Sequence, residues 1–321
     1  MSWDSVRGHD LWRQRFERVE KRGRLAHAYL FVGPQGVGKR LFALELAKTL
    51  SCESPNGFAA CDACPACAQI HAGTHPDVQL VGKPSEKLEF PIDLIREVTA
   101  SLGLKPARGR RRIIILDDVD QMSDDAAHAF LKSLEEPPPH SLIILIGQTT
   151  DHFFPTIVSR CQVIRFEPLP NGLIEEWLLA EKAVATAPQA KQVAELASGS
   201  MGLARQLADP EILAFRKDWL EHCRHARINS VTLAAKVNEF VDAAGADASS
   251  KRQRAQLALR FLADELSRFM DSDEQIVSLT SLLKRTELIL QAEVLVDRRV
   301  QLVLLLEAFA EHWAEPISDM V

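Results

Sequence analysis

Along the first half of the chain, short unbroken apolar runs alternate with stretches whose apolar residues recur at helical spacing. Ala28–Val32, Val78–Val81, Ile113–Leu116, Leu142–Ile146 and Gln162–Phe166 read as strands. Between them Lys39–Leu50, Ile92–Leu102 and Asp124–Glu136 read as helices. The last is stopped by Pro137, Pro138 and Pro139, which have no N–H to give and a fixed φ. Runs this apolar suit strands buried on both faces, and strand–helix alternation is the signature of a parallel sheet with crossover helices. A three-layer α/β domain over residues 1–168 is the expectation. After Pro168 and Pro170 the strand signals vanish. Leu173–Ala183, Pro188–Ala197 and Met201–Leu207 predict a small helical unit over 169–210, with a boundary at Asp209 and Pro210. Residues 211–321 read as a third, all-helical region, with helices such as Ala255–Met270 and Val294–Trp313. The expected class is therefore α/β plus all-α.

Composition changes this picture little. Hydrophobic residues make up 46% and charged residues 26% of 321, enough apolar material to exclude a disordered chain. The formal net charge of −6 excludes a polycation, so any contact with DNA must come from a local patch or from partner subunits. The N-terminus lacks the apolar core of a signal peptide, and no apolar run approaches the ~20 residues that cross a bilayer. A cytoplasmic protein without membrane contact is expected, and in that compartment six cysteines are read as thiols or metal ligands, not disulfides.

Candidate chemistry enters at Gly33-Pro34-Gln35-Gly36-Val37-Gly38-Lys39, which follows a strand and opens a helix. Glycines there let backbone N–H groups and a helix N-terminus surround a phosphate, with Lys39 reaching the outer phosphates of ATP or ADP. The pattern asks for Ser or Thr next, whose hydroxyl would ligate magnesium; Arg40 stands there instead and has no lone pair to offer. A second acidic element, Ile113 to Asp120, ends a buried strand in Asp117 and Asp118 at the edge where α/β sheets bind ligands. Asp117 would face magnesium, and Asp118 would be a shortened stand-in for a water-orienting Glu; a plain acidic helix start after a core strand is the other reading. Nucleotide binding with doubtful Mg²⁺ and poor hydrolysis follows.

Cys52, Cys61, Cys64 and Cys67 lie just beyond the helix after the phosphate loop, in the spacing C-x8-C-x2-C-x2-C. Four thiolates with two x2 spacings can close a tetrahedral structural zinc site over residues 52–67, leaving no open position for catalysis. An iron–sulfur cluster would use the same ligands, yet nothing else in the chain argues for redox work. Cys161 and Cys223 stand alone.

The run Asp125 to Pro138, the Thr149-Thr150-Asp151 turn and Ser159-Arg160-Cys161 together resemble the AAA+ module of bacterial DNA polymerase III clamp loader subunits, over roughly residues 5–210. The resemblance implies an AAA+ fold with a helical lid and a helical collar, and a hetero-oligomeric ring with gamma/tau and delta subunits. Through these it implies a sliding clamp and primer-template DNA as partners. It makes Arg160 an arginine finger acting in trans on the neighbouring ATP, a surface ion pair being the bland alternative, and Thr150 a sensor residue, with Thr149 as rival. In hydrolysing members a Gly-Ser-x-Arg sequence carries a sensor arginine. Here Gly199-Ser200-Met201-Gly202 lacks it, and Arg205 follows three residues later. With Arg40, and an end at residue 321 short of a tau-type tail, this favours the delta-prime type, adding little ATPase of its own to the polymerase. A gamma/tau-type ATPase and a zinc-containing nucleic-acid-binding regulator are the alternatives. The basic run Lys105, Arg108, Arg110, Arg111 and Arg112 is either a solvated turn or a DNA-facing patch.

Overall fold

The computed structural model describes residues 2–84, 89–108, 110–224, 228–271, 279–298 and 300–315. The chain divides into two compact units, Met1–Ala208 and Asp209–Val321. In the first, the order is α1 (Asp10–Lys21), β1 (Ala28–Val32), α2 (Lys39–Ser51), α3 (Pro65–His71), β2 (Val78–Gly82), α4 (Ile92–Leu102), β3 (Arg112–Asp117) and α5 (Asp124–Glu135). There follow β4 (Ser141–Gly147), α6 (Pro155–Val158), β5 (Gln162–Arg165), α7 (Asn171–Ala180), α8 (Ala187–Ala197) and α9 (Met201–Leu207).

The five strands form one parallel sheet in the order β2-β3-β4-β1-β5. Because successive side chains point to opposite faces, β1 feeds two cores at once. Tyr29 and Phe31 pack with Phe16, Phe42, Leu46 and Phe166 on one side. Leu30 and Val32 pack with Phe90, Ile95, Phe130 and Leu145 on the other. Every residue of β1 and β4 is buried, which is why both read as continuous apolar runs. The helix α5 starts where Ser123 Oγ accepts the Ala126 N–H at 3.3 Å, and it ends one residue before the proline run begins to act, at Glu135.

At the amino-terminal end of the sheet, Asp77 is 1% exposed. Its carboxylate accepts N–H groups from Ala107 at 2.6 Å and Arg108 at 2.8 Å, and Arg112 Nη1 lies 3.9 Å away. This acid folds the basic segment back against the start of β3.

The second unit holds α10 (Pro210–Arg224), α11 (Ser230–Asp242), α12 (Ala248–Asp271), α13 (Leu279–Asp297) and α14 (Leu302–Ala314). Trp219 and Trp313 are buried, and each still places its indole N–H on a carbonyl, Ala258 O at 3.1 Å and Cys223 O at 3.3 Å. Arg224 and Glu265 form an ion pair beneath them. The single helix expected over Val294–Trp313 is two. Arg298 N–H closes on Val294 O at 2.9 Å and Val300 N–H on Leu295 O at 3.3 Å, a terminal turn that satisfies the last carbonyls of α13 before α14 begins. Among the described residues no helix is long and apolar enough to cross a membrane.

Asp77→Ala removes two charge-assisted hydrogen bonds and leaves the half-buried Arg112 beside no acid. A loss of about 2–4 kcal/mol is expected, read from the denaturant midpoint of the first unfolding transition.

Candidate functional site

At the carboxyl edge of the sheet, the loop between β1 and α2 wraps a cavity of about 450 Å³. Gly33, with φ 151°, lies so close to Phe166 that a Cβ there would come 2.2 Å from its carbonyl oxygen. Gly36, with φ 78°, abuts α9, where a Cβ would meet Ser200 Oγ at 2.3 Å. Only glycine satisfies both backbone and space at these positions. Gly38, also left-handed, caps α2 and hands the chain to Lys39.

Lys39 is 7% exposed and donates to Gly33 O at 2.6 Å and Pro34 O at 2.8 Å. Burial lowers its pKa, opposed by Asp117, Asp118 and Asp120. Arg40, one residue on, places Nη1 3.5 Å from Asp117 Oδ2. Asp117 itself is pushed up to about 6, first by burial and then by the charge of Asp118, with Arg40 and Lys39 pulling the other way. Asp118, held at φ 58°, is raised as well, by burial and by Asp120. Two cations and two reluctant acids thus share one pocket floor.

Among the lining groups, Arg7, His9 and Trp177 had no signal in the sequence. His9 is buried and donates from Nε2 to Val37 O at 2.8 Å, and burial lowers its pKa below the ordinary value. Trp177 on α7 carries the guanidinium groups of Arg7 and Arg205 over its ring, at 5.8 and 5.3 Å. Arg205 is also paired bidentately with Glu181, at 2.7 and 3.3 Å, and it lines the cavity. Gly202 lines it too, and its N–H donates to Gly36 O at 3.1 Å. A motif scan cannot find Arg7, His9 and Trp177, which tertiary packing brings to the loop, whereas Gly202 and Arg205 were marked by the Gly199-Ser200-Met201-Gly202 sequence.

Of the remaining expected residues, Thr150 is not among the cavity-lining residues. Its hydroxyl donates to Asp151 Oδ1 at 3.4 Å, and Gln148, at the end of β4, lines the cavity in its place. The Gln148 N–H donates to Asp120 Oδ2 at 3.1 Å, which ties the β4 exit to the acidic turn. Arg160 sits away from this cavity, after α6. Its guanidinium pairs with Glu135 at 2.6 Å and donates to Thr156 O at 2.9 Å and Ser159 Oγ at 3.2 Å. The surface ion pair weighed from the sequence is therefore present. The basic run lies at the opposite edge of the sheet, with Arg111 paired to Glu20 at 3.3 Å, and Arg108, Arg110 and Arg111 border a second basin with His27 and His140.

The four cysteines converge. The Sγ atoms of Cys52, Cys61, Cys64 and Cys67 all lie within 4.8 Å of one another, and Cys52 and Cys64 are 3.9 Å apart. Tetrahedral zinc–sulfur bonds of about 2.3 Å give sulfur–sulfur edges of about 3.8 Å, so the set fits such an ion. Backbone N–H groups of Cys61, Cys64 and Cys67 point at the sulfurs of Cys52, Cys61 and Cys64, at 3.3, 3.3 and 3.5 Å, donors that favour thiolate. Lys48 fastens the module to α2 by pairing with both Glu45 and Asp62 at 2.7 Å. Cys161, pushed up to about 12 by burial, and Cys223, also raised, remain neutral thiols.

A family model described as DNA polymerase III, delta subunit, matches residues 8–170. The chain is similar to the DNA polymerase III subunit delta′ of Pseudomonas aeruginosa, 34% identical over 198 residues, which are 61% of this chain and 60% of that protein. It is also similar to the subunit delta′ of Bacillus subtilis, 37% identical over 167 residues, 52% of this chain and 49% of that protein. The subunit tau of Escherichia coli is 36% identical over 195 residues, 59% of this chain and 30% of that protein. The chain thus matches about half the length of its delta′ relatives. Among solved structures, a DNA polymerase III gamma subunit-related protein from Thermotoga maritima shares the fold, with a TM-score of 0.55 at 20% identity, covering 94% of this chain and 98% of that one.

The raised Asp117 makes stability depend on pH in a definite direction. Between the ordinary value of 3.8 and about 6 the folded chain holds a proton that the unfolded chain has lost, so stability falls as pH rises through that window. Asp117→Asn is expected to stabilise the protein by about 1–3 kcal/mol at pH 7.5 and by nothing measurable near pH 3.5, in denaturant titrations at the two pH values.

Proposed function

The chain belongs to the DNA polymerase III delta-subunit family, and on that premise we propose that it is the delta-prime subunit of a bacterial clamp loader. It takes part in DNA replication by helping gamma/tau and delta subunits place the sliding clamp on primer-template DNA in the cytoplasm. Its own nucleotide site is degenerate. The observation that carries this reading is the Arg40–Asp117 ion pair, 3.5 Å long, on the floor of a phosphate-loop cavity. A hydrolysing site needs a hydroxyl and a free carboxylate there to hold magnesium. These residues do not fit the ion: one offers only N–H donors, and the other already faces a cation. Gly202, where hydrolysing relatives carry a sensor arginine, argues the same way and speaks against the gamma/tau reading.

Arg160 is the chemical contribution of this subunit to the ring. It lies outside the cavity, half-exposed, with its guanidinium shared among Glu135, Thr156 O and Ser159 Oγ. A γ-phosphate carries more charge than one carboxylate and takes a guanidinium in the same bidentate manner. Presented by a neighbouring subunit, it draws Arg160 from Glu135 and receives its charge during phosphoryl transfer. The cysteine cluster holds a structural zinc ion, closed by four thiolates and therefore without catalytic part. In the second unit, Leu283, Leu290 and Val294 on α13 share one helix face and are 58, 55 and 48% exposed. A monomer gains nothing by wetting such a stripe, and it suits the collar contact of a hetero-oligomer.

Two measurements test these roles. Metal analysis of protein purified without added zinc is expected to give about one zinc per chain, lost in Cys64→Ser together with several kcal/mol of stability. Arg160→Ala is expected to leave ring assembly intact by size exclusion and to slow single-turnover hydrolysis at the neighbouring site by at least about tenfold, below the 10³–10⁵ known for fingers of GTPases. A normal rate in assembled Arg160→Ala complexes refutes the trans role, and failure to assemble makes the residue an interface anchor.

A further inference from the structure

We infer that the cavity of this chain takes a nucleoside polyphosphate without a divalent cation, Arg40 standing as the fixed counter-ion where a metal would otherwise sit. The inference deepens the proposed function and rests on its reading of the cavity as a nucleotide site.

The degenerate residues have not erased the cavity. Its volume of about 450 Å³ is within the range of small-molecule sites, and its walls keep the two textures that a nucleotide needs. Val6, Leu41 and Leu44 supply apolar wall, beside the Trp177 ring. The phosphate loop retains all three of its glycines, its lysine and the N-terminus of a thirteen-residue helix, α2. The loop elements that recognise phosphate are all present, and at the start of α2 the altered position is the one that would ligate metal.

Arg40 lies at the second position of α2, and its side chain is 60% exposed yet reaches Asp117, which is 13% exposed. That exposure matters. The guanidinium lines the cavity and spans from solvent to the buried acid, so it can contact a phosphate while it stays beside Asp117. A divalent ion entering the same space would meet Arg40 and the ammonium of Lys39 as like charges. It would also compete for an acid that burial already disfavours in its charged form. A nucleotide stripped of metal meets the opposite situation. Its extra negative charge faces Lys39, Arg40 and, at the cavity wall, Arg7 and Arg205. Arginine suits this task because its pKa keeps it charged at any working pH, and its planar fork matches two phosphate oxygens.

The test is equilibrium titration of the full-length chain with the fluorescent probe MANT-ADP, in excess Mg²⁺ and in excess EDTA. The dissociation constant is expected to change by less than about twofold between the two, since no metal contributes to the contact. Arg40→Ser removes one charge-assisted contact and restores the missing hydroxyl. It is expected to bind about tenfold more weakly in EDTA, and to regain affinity when Mg²⁺ is added. Because position 40 is mostly in solvent, the variant keeps its fold, which far-UV circular dichroism and zinc content check. Binding by the natural chain that collapses in EDTA overturns the inference. So does the absence of binding in both buffers, and so does an Arg40→Ser variant that behaves as the natural chain does. None of these outcomes touches the trans role of Arg160, which is read in assembled rings, so failure of this inference and failure of the proposed function are distinguishable.

Discussion

The arrangement of the first unit turns on charges drawn out of water at the end of an apolar sheet. Strands β1, β3 and β4 are buried on both faces, so whatever follows them begins in a poorly solvated place. Lys39, Asp117 and Asp118 all begin there. Burial disfavours the charge of each, and each shifts toward neutrality. What keeps the set tolerable is mutual compensation: carbonyls of the phosphate loop around the ammonium, and Arg40 opposite the acid.

The sheet was legible because burial on both faces writes an unambiguous pattern. Each expected strand lies within a residue or so of its observed bounds, and α4 and α9 coincide with their expected ranges. The break between α13 and α14 was not legible. Val294 to Trp313 keeps apolar residues at helical spacing across it, and the turn is made by backbone hydrogen bonds that leave no mark in side-chain periodicity. The site divides along the same line. Gly36, Gly38, Lys39, Arg40, Asp117 and Asp118 belong to two short motifs and meet at the cavity, where α/β topology brings such motifs together, while Gly33 packs against Phe166. Trp177 and Arg205 stand more than a hundred residues from His9, and Thr150 had the right sequence neighbours but a side chain turned to Asp151. Local pattern identifies the groups that hold phosphate, and tertiary packing decides what surrounds them.

The cysteine cluster and Asp77 show a related economy. Both stiffen irregular segments that have no apolar layer of their own, one through sulfurs that accept backbone N–H groups, the other through a carboxylate that does so. Lys48 and the indole of Trp3, which donates to Phe58 O at 2.8 Å, then fasten the cysteine segment to α2 and the N-terminal turn. The phosphate loop is thus braced from behind by elements that never touch the cavity.

The contact between Gly36 and Gly202 bears on how such a subunit can change over generations. With no side chain at either position, α9 has settled so close that a Cβ on residue 202 would lie 3.1 Å from Gly36 Cα. Any side chain at that position requires the two segments to part by a few tenths of an ångström. A substitution there therefore meets the backbone of the phosphate loop first, and how far that loop gives sets its cost. The tight packing of two glycines is in this sense a ratchet on position 202.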